Sequence, residues 1–320
     1  MSNKELPDIS RIVEECKNKN SCELEVRYNE PMADHTSFKV GGPADCWLRP
    51  SGEGFPAFAV ALIAAARTEQ IPVFLLGGGA NILVADSGIR GLVLDTGGWT
   101  GVSGVSGRET ALYFHAGTIL DDAAEIAAGR GLSGLEFLAG MPGTIGGAIW
   151  MNARCYGREI ADALAETKAV DFSGSAPQYV SLPVNAAEFG YKHSPFQGRD
   201  MLILGGSFQL TQGDAQQIRS AMEKNRRDRE DKGHYRFPSA GSVFKNNHSF
   251  GKPTGQIIDE LGLRGLRIGG AQIAPWHGNI IINTGGAAAS DIRSLINEVT
   301  ASVQSAGNYT LEPEILFIGD

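Results

Sequence analysis

Cysteine is scarce and dispersed: Cys16, Cys22, Cys46 and Cys155 form neither a CxxC pair nor a Cys/His ligand spacing. That excludes a zinc site and a disulfide framework and leaves reduced thiols. Long apolar runs are missing as well. The most apolar stretch, Phe55 to Arg67, falls short of the roughly 20 residues that cross a bilayer, and no apolar signal core stands near the N-terminus, so no membrane partner is expected and the cytoplasm is the expected compartment. A broad basic field is absent too: 28 lysines and arginines against 36 acidic residues give a net charge of −8. This argues against a nucleic-acid or anionic-membrane partner and confines any phosphate site to a local patch.

What is present is enough apolar material, 42% of 320 residues, to bury a sizeable core in two or three units. Residues 8–19 predict a short polar helix on the outside. A strand at Cys46–Arg49, an apolar helix at Pro56–Thr68 and strands at Val73–Leu76 and Leu92–Asp95 alternate in the α/β manner. A second stretch predicts a strand at Leu112–His115, a helix at Leu120–Ala128 with Gly129 as its stop, and strands up to Leu202–Leu210. A third opens with a charged helix, Asp214–Asp231, and continues with a helix at Pro253–Leu261 and a strand at Asn279–Asn283. It closes with a helix whose Ile292, Leu295, Ile296, Val299 and Val303 share one face, with Ser290 as N-cap and Gly307 beyond its end.

Three segments carry chemistry. Gly77, Gly78 and Gly79 follow an apolar strand, where positive φ angles and bare backbone N–H groups suit a pyrophosphate, although an isolated glycine triplet is more often a tight turn. A second glycine-rich segment, Gly140–Ala148, allows a dinucleotide to be clasped from two sides. A literal GxGxxG at Gly129, Gly131 and Gly134 follows a helix instead of a strand and lacks the context that gives that motif its mechanism. In PSAGSVFKN, Pro238–Asn246, small residues leave room for a flat ligand, Ser242 offers a hydroxyl, and Lys245 with Asn246 can grip an anion.

With HTSFKVGGPAD (His35–Asp45), LLGGGANILV (Leu75–Val84), GMPGTIGGAIWMNARCYG (Gly140–Gly157) and LEPEILFIG (Leu311–Gly319), PSAGSVFKN resembles the UDP-N-acetylenolpyruvoylglucosamine reductases, flavoenzymes that complete UDP-N-acetylmuramate in cell-wall synthesis. The resemblance runs from about His35 to Gly319. It implies an α+β fold, with a two-part FAD-binding region of the vanillyl-alcohol-oxidase/PCMH type (residues 1–95 and 96–212) and a C-terminal α/β substrate-binding domain (213–320). It implies non-covalent FAD, NADPH as co-substrate, a UDP-sugar substrate and no metal. Cofactor contacts then fall on Gly77, Gly78, Gly79, Ala80, Asn81 and Ile82, and on Gly140, Pro142, Gly143, Thr144, Gly147 and Ala148. A covalent flavin link would have Cys155 as its candidate.

Reducing an enolpyruvyl ether requires a hydride at the terminal alkene carbon, a proton at its neighbour, and charge near the carboxylate to stabilise an enolate-like intermediate. By motif match Ser242 is the proton donor and Glu314 the catalytic acid. Glu312 lies two residues away and on a strand shares its face. The arginine of the family's FGYRxS motif is replaced by Lys192 in FGYKHS, which keeps the charge but not the bidentate fork; Arg227 and Arg236 are other candidates. Arg154 and Cys155 stand where the family has small residues. Asn246 and Lys232 match family contacts to the nucleotide sugar's diphosphate, and Lys245, beside Asn246 on the same strand, is a further candidate. The family's extra Tyr-Gly-Asp loop is absent, as in its shorter second type. Two alternatives stay open: a related flavin oxidase of a sugar or alcohol, which shares the glycine-rich half only, and a catalytically silent sugar-nucleotide-binding flavoprotein.

Overall fold

The computed structural model of the chain describes residues 6–307 and 309–319. Two compact units emerge. The first takes the chain up to Tyr28, Cys46–Gly78 and Gly91–Arg227; the second takes Asn29–Asp45, Gly79–Arg90 and the chain from Asp228 onward.

The first unit has two apolar cores. Helix α1 (Leu6–Lys19) reads as polar, yet Ile9, Ile12, Val13 and Cys16 recur at helical spacing and are all buried, so it packs through a narrow stripe instead of lying on the outside. Its neighbour α2 (Phe55–Thr68) starts with Pro56 in its first turn and buries Phe55, Phe58, Leu62 and Ala66. A four-stranded sheet runs in the order Glu23–Pro31, Pro43–Ser51, Ile89–Asp95, Val73–Leu76. The second core lies on a five-stranded antiparallel sheet, ordered Gln178–Pro183, Leu164–Asp171, Met201–Gln209, Arg108–His115, Val102–Val105. On it pack α3 (Leu120–Gly129), α4 (Ile145–Met151) and the apolar edge of α5 (Ala215–Asp231), with Phe114 and Phe208 edge to face at 5.9 Å. Gly129 is the last residue of α3, not its stop; Gly131, at φ +68°, takes the left-handed position beyond it.

The second unit is built on the strands Arg267–Ile268, Ala271–Ile273 and Ile281–Asn283, and on a parallel pair, Ile82–Val84 with Leu316–Ile318. Helices α6 (Thr254–Glu260) and α7 (Ala289–Gly307) complete it. The expected face of α7 is buried throughout. Its cap is not Ser290, which lies inside the helix. Asp86, some two hundred residues away, accepts from Ala289 N at 2.7 Å and Ser290 N at 2.9 Å. No described helix is long and apolar enough to cross a membrane.

Candidate active site

The strand Val73–Leu76 leads Gly77 and Gly78 against the second glycine-rich turn. A Cβ on Gly78 would lie 2.8 Å from Gly143 Cα, and one on Gly77 would lie 3.0 Å from Thr144 Oγ1. Glycine is therefore required here for close approach; of the triplet only Gly79 is left-handed, at φ +60°. The second turn is held by Leu120 N donating to Gly143 O (3.1 Å), Gly140 N to the Asp121 carboxylate (2.7 Å) and Gly146 N to Ala116 O (2.8 Å). Within it the Thr144 hydroxyl is buried with no hydrogen-bond partner among the described residues.

Beyond α4 the chain forms a small hairpin in which Gly190 and His193 exchange backbone hydrogen bonds of 3.0 and 3.1 Å, leaving Tyr191 and Lys192 at the tip. Lys192 is left-handed, at φ +57°. The hairpin is tied to the end of α4: Ser194 Oγ donates to Trp150 O (2.6 Å), and Asn152 Nδ2 donates to Gly190 O (2.9 Å). Lys192 thus rides on the scaffold that carries Thr144. Arg154 also stands at this tip, its guanidinium 5.8 Å over the Tyr191 ring. Arg227 is engaged with Glu223, and Arg236 lies over the Trp276 ring at 5.0 Å.

In the second unit, Asn81 links two of the motifs. Its Nδ2 donates to Glu314 O at 2.9 Å and its carbonyl accepts from Leu316 N at 3.0 Å. Segment 312–314 in turn pairs with PSAGSVFKN: Glu314 N donates to Val243 O (2.7 Å) and Lys245 N to Glu312 O (2.9 Å). Ser242 and Glu314 therefore sit on adjacent extended segments. The expected strand at Ser242 is absent; only isolated bridges form, Ser242 to Ile280 and Phe244 to Pro313. Val243 sends its N–H one way and its C=O the other, which interrupts a regular ladder. Glu312 is exposed and pairs with Lys245 Nζ at 2.5 Å, whereas Glu314 is half-buried. The two acids, which share a face under strand periodicity, are separated by their surroundings. Lys232 pairs with Asp228 one helical turn away at 2.7 Å, and Asn246 Oδ1 accepts from Thr254 N at the start of α6 (2.9 Å).

Ser242 opens onto a cavity of about 360 Å³ that is also lined by Asn246, Asp259, Arg264, Trp276, His277 and Asn279. Gly241, at φ +73°, has open space where a Cβ would stand. Burial and the nearby Arg264 and Lys232 push the His277 pKa down. Burial, with Arg229, His277 and Lys232, pushes that of His234 down to about 4. Both imidazoles are neutral at pH 7, in surroundings that favour an anion over a further cation.

The sequence matches the family model for the C-terminal domain of UDP-N-acetylenolpyruvoylglucosamine reductase over residues 233–318 and an FAD binding domain over residues 58–176. It is 38% identical over 306 residues to the UDP-N-acetylenolpyruvoylglucosamine reductase of Treponema denticola, covering 92% of this chain and 94% of that one. Against the protein of that name from Lactococcus lactis it is 36% identical over 312 residues, covering 97% and 100%. The chain belongs to the UDP-N-acetylenolpyruvoylglucosamine reductase family. The crystal structure of UDP-N-acetylenolpyruvylglucosamine reductase from Thermus caldophilus matches with a TM-score of 0.74 at 31% identity, covering 93% of this chain and 100% of that one. The fold is accordingly the α+β arrangement of an FAD-binding region with a C-terminal domain of the reductase family, and the chain is an FAD-dependent oxidoreductase.

The residues present fit a dinucleotide. Bare glycine backbone on two touching turns and a buried, unsatisfied Thr144 hydroxyl are what a pyrophosphate or ring edge would cover. Sequence reasoning missed His277 and Asn279 in the reductase's cavity. Their one signal is a polar PWHGN stretch before the apolar IIIN run.

Proposed function

We propose that this reductase converts UDP-N-acetylglucosamine enolpyruvate to UDP-N-acetylmuramate in peptidoglycan precursor synthesis, in the cytoplasm, with NADPH as electron source and non-covalent FAD. The observation that carries the reading is the pairing of the Ser242 and Glu314 segments, with Ser242 at the mouth of a cavity. Bound FAD supplies two-electron transfer between NADPH and the alkene. Residues 1–95 and 96–212 hold FAD through the glycine-rich turns, Thr144 and Asn81, and residues 213–320 bind the substrate. Ser242 donates the proton to the carbon that bears the ether oxygen, and Lys192 as a cation and Glu314 as a protonated acid stabilise the charge that builds on the carboxylate. Lys232, Lys245 and Asn246 engage the diphosphate. Lys245 then exchanges an exposed carboxylate partner, worth little in water, for a stronger anion.

Product analysis tests this. With NADPH and the enolpyruvyl substrate, one NADP⁺ should form per saturated lactyl ether, and UDP-N-acetylglucosamine alone should consume no NADPH. Oxygen-dependent oxidation of an alcohol, with the enolpyruvyl ether left intact, would favour the oxidase reading.

A further inference from the structure

We propose that Asn279 is a positioning residue for proton transfer: its side-chain amide, in place of a backbone ladder, fixes the segment that presents Ser242. The proposal rests on the reading of Ser242 as proton donor. Asn279 is 3% exposed. Its backbone O accepts from Val243 N at 2.9 Å, its Oδ1 accepts from Phe244 N at 2.9 Å, and its Nδ2 donates to Phe244 O at 2.8 Å. A peptide N–H only donates and a C=O only accepts, so the amide has a single satisfied orientation. The residue is itself held: Asn279 N donates to His277 Nδ1 at 3.1 Å, which makes Nδ1 the unprotonated nitrogen of that ring.

The geometry explains why a side chain is needed. Val243 donates to Asn279 O while its C=O is taken by Glu314 N, and both polar groups of Phe244 are taken by the Asn279 side chain in place of a ladder. Removing the amide leaves a buried N–H and C=O without partners, and the segment must shift to satisfy them. Ser242 is two residues away, where a displacement of about 1 Å costs on the order of a hundredfold in rate.

The test uses holoenzyme reduced by dithionite and mixed anaerobically with the enolpyruvyl substrate. Asn279→Ala should retain FAD and, at saturating substrate, be reoxidised at least about tenfold more slowly. In Asn279→Asp the carboxylate accepts from Phe244 N but opposes Phe244 O, and once protonated it donates again. Its rate relative to wild type at the same pH should therefore rise as pH falls through the new carboxyl's pKa, while the ratio for Asn279→Ala stays flat. His277, the Asp259–Arg264 and Lys245–Glu312 pairs, and Glu314 face this segment; they are common to wild type and variant, so the ratio isolates the new carboxyl. A wild-type rate for Asn279→Ala, or a flat ratio for Asn279→Asp, overturns the proposal. The Asp variant alone decides if the Ala variant does not fold. Slow reoxidation of Ser242→Ala beside fast Asn279 variants sinks only the positioning claim, whereas fast Ser242→Ala removes the proton-donor reading itself.

Discussion

A carboxylate that only meets solvent and one lysine is worth little, and Glu312 is such a group: exposed and joined to Lys245. Glu314, half-buried beside the Ser242 segment, is the acid we propose acts on the reacting atoms. Glu314→Gln should lower kcat by two orders of magnitude or more, and Glu312→Gln should stay within about threefold of wild type. Steady-state kinetics on both variants checks this, and reversed severities would mean the wrong acid has been assigned. Lys192 is held left-handed on a hairpin bolted to α4. Lys192→Ala should cost about 2–4 kcal/mol of transition-state stabilisation, the range for loss of one electrostatic donor. Lys192→Arg should retain much of the activity. Arg154 stands at the same tip, so activity left in Lys192→Ala should fall further in the Lys192→Ala/Arg154→Ala pair. A near wild-type Lys192→Ala enzyme removes this lysine from the catalytic set.

At the scale of elements, the glycine-rich turns are defined by contact more than by torsion. Gly78→Ala places a Cβ 2.8 Å from Gly143 Cα, where only backbone can give way. Flavin absorbance per mole of purified protein should drop severalfold, and full occupancy would show that the two turns do not need this approach. Helix α7 depends on Asp86, whose pKa is lowered: burial pushes it up, but hydrogen bonds from Ser290 and Ala289 outweigh that. Asp86→Ala should cost about 1 kcal/mol in urea unfolding, the usual worth of a cap. Because the folded value lies below the ordinary one, the stabilisation from the charge is present above the unfolded value of 3.8 and is lost as pH falls through the folded value. The buried face of α7 was legible because helical periodicity is local. The cap was not, since its donor and acceptor are separated by 203 positions. The Ser242 segment misled for the same reason: its composition is strand-like, but its partners are an asparagine side chain 35 residues away and the 312–314 segment, and neither leaves a local pattern.

For the molecule as a whole, the order of the motifs identified the family, while the division of the chain into compact units did not follow their order. Residues 29–45 and 79–90 join the C-terminal part, a discontinuity that contiguous boundaries at 95 and 212 do not contain. The residues proposed for the site are distributed accordingly: Gly77, Gly78, Thr144 and Lys192 belong to the first unit, and Asn81, Ser242 and Glu314 to the second. The most direct test is an anaerobic stopped-flow comparison of wild type and Ser242→Ala. NADPH should bleach the flavin of both at similar rates. The enolpyruvyl substrate should then restore the oxidised spectrum of wild type at once, and that of Ser242→Ala at least about a hundredfold more slowly. Wild-type flavin that NADPH does not bleach, or that the enolpyruvyl substrate does not reoxidise, would contradict the reaction, and equal slowing of both steps in Ser242→Ala would contradict the role given to the serine.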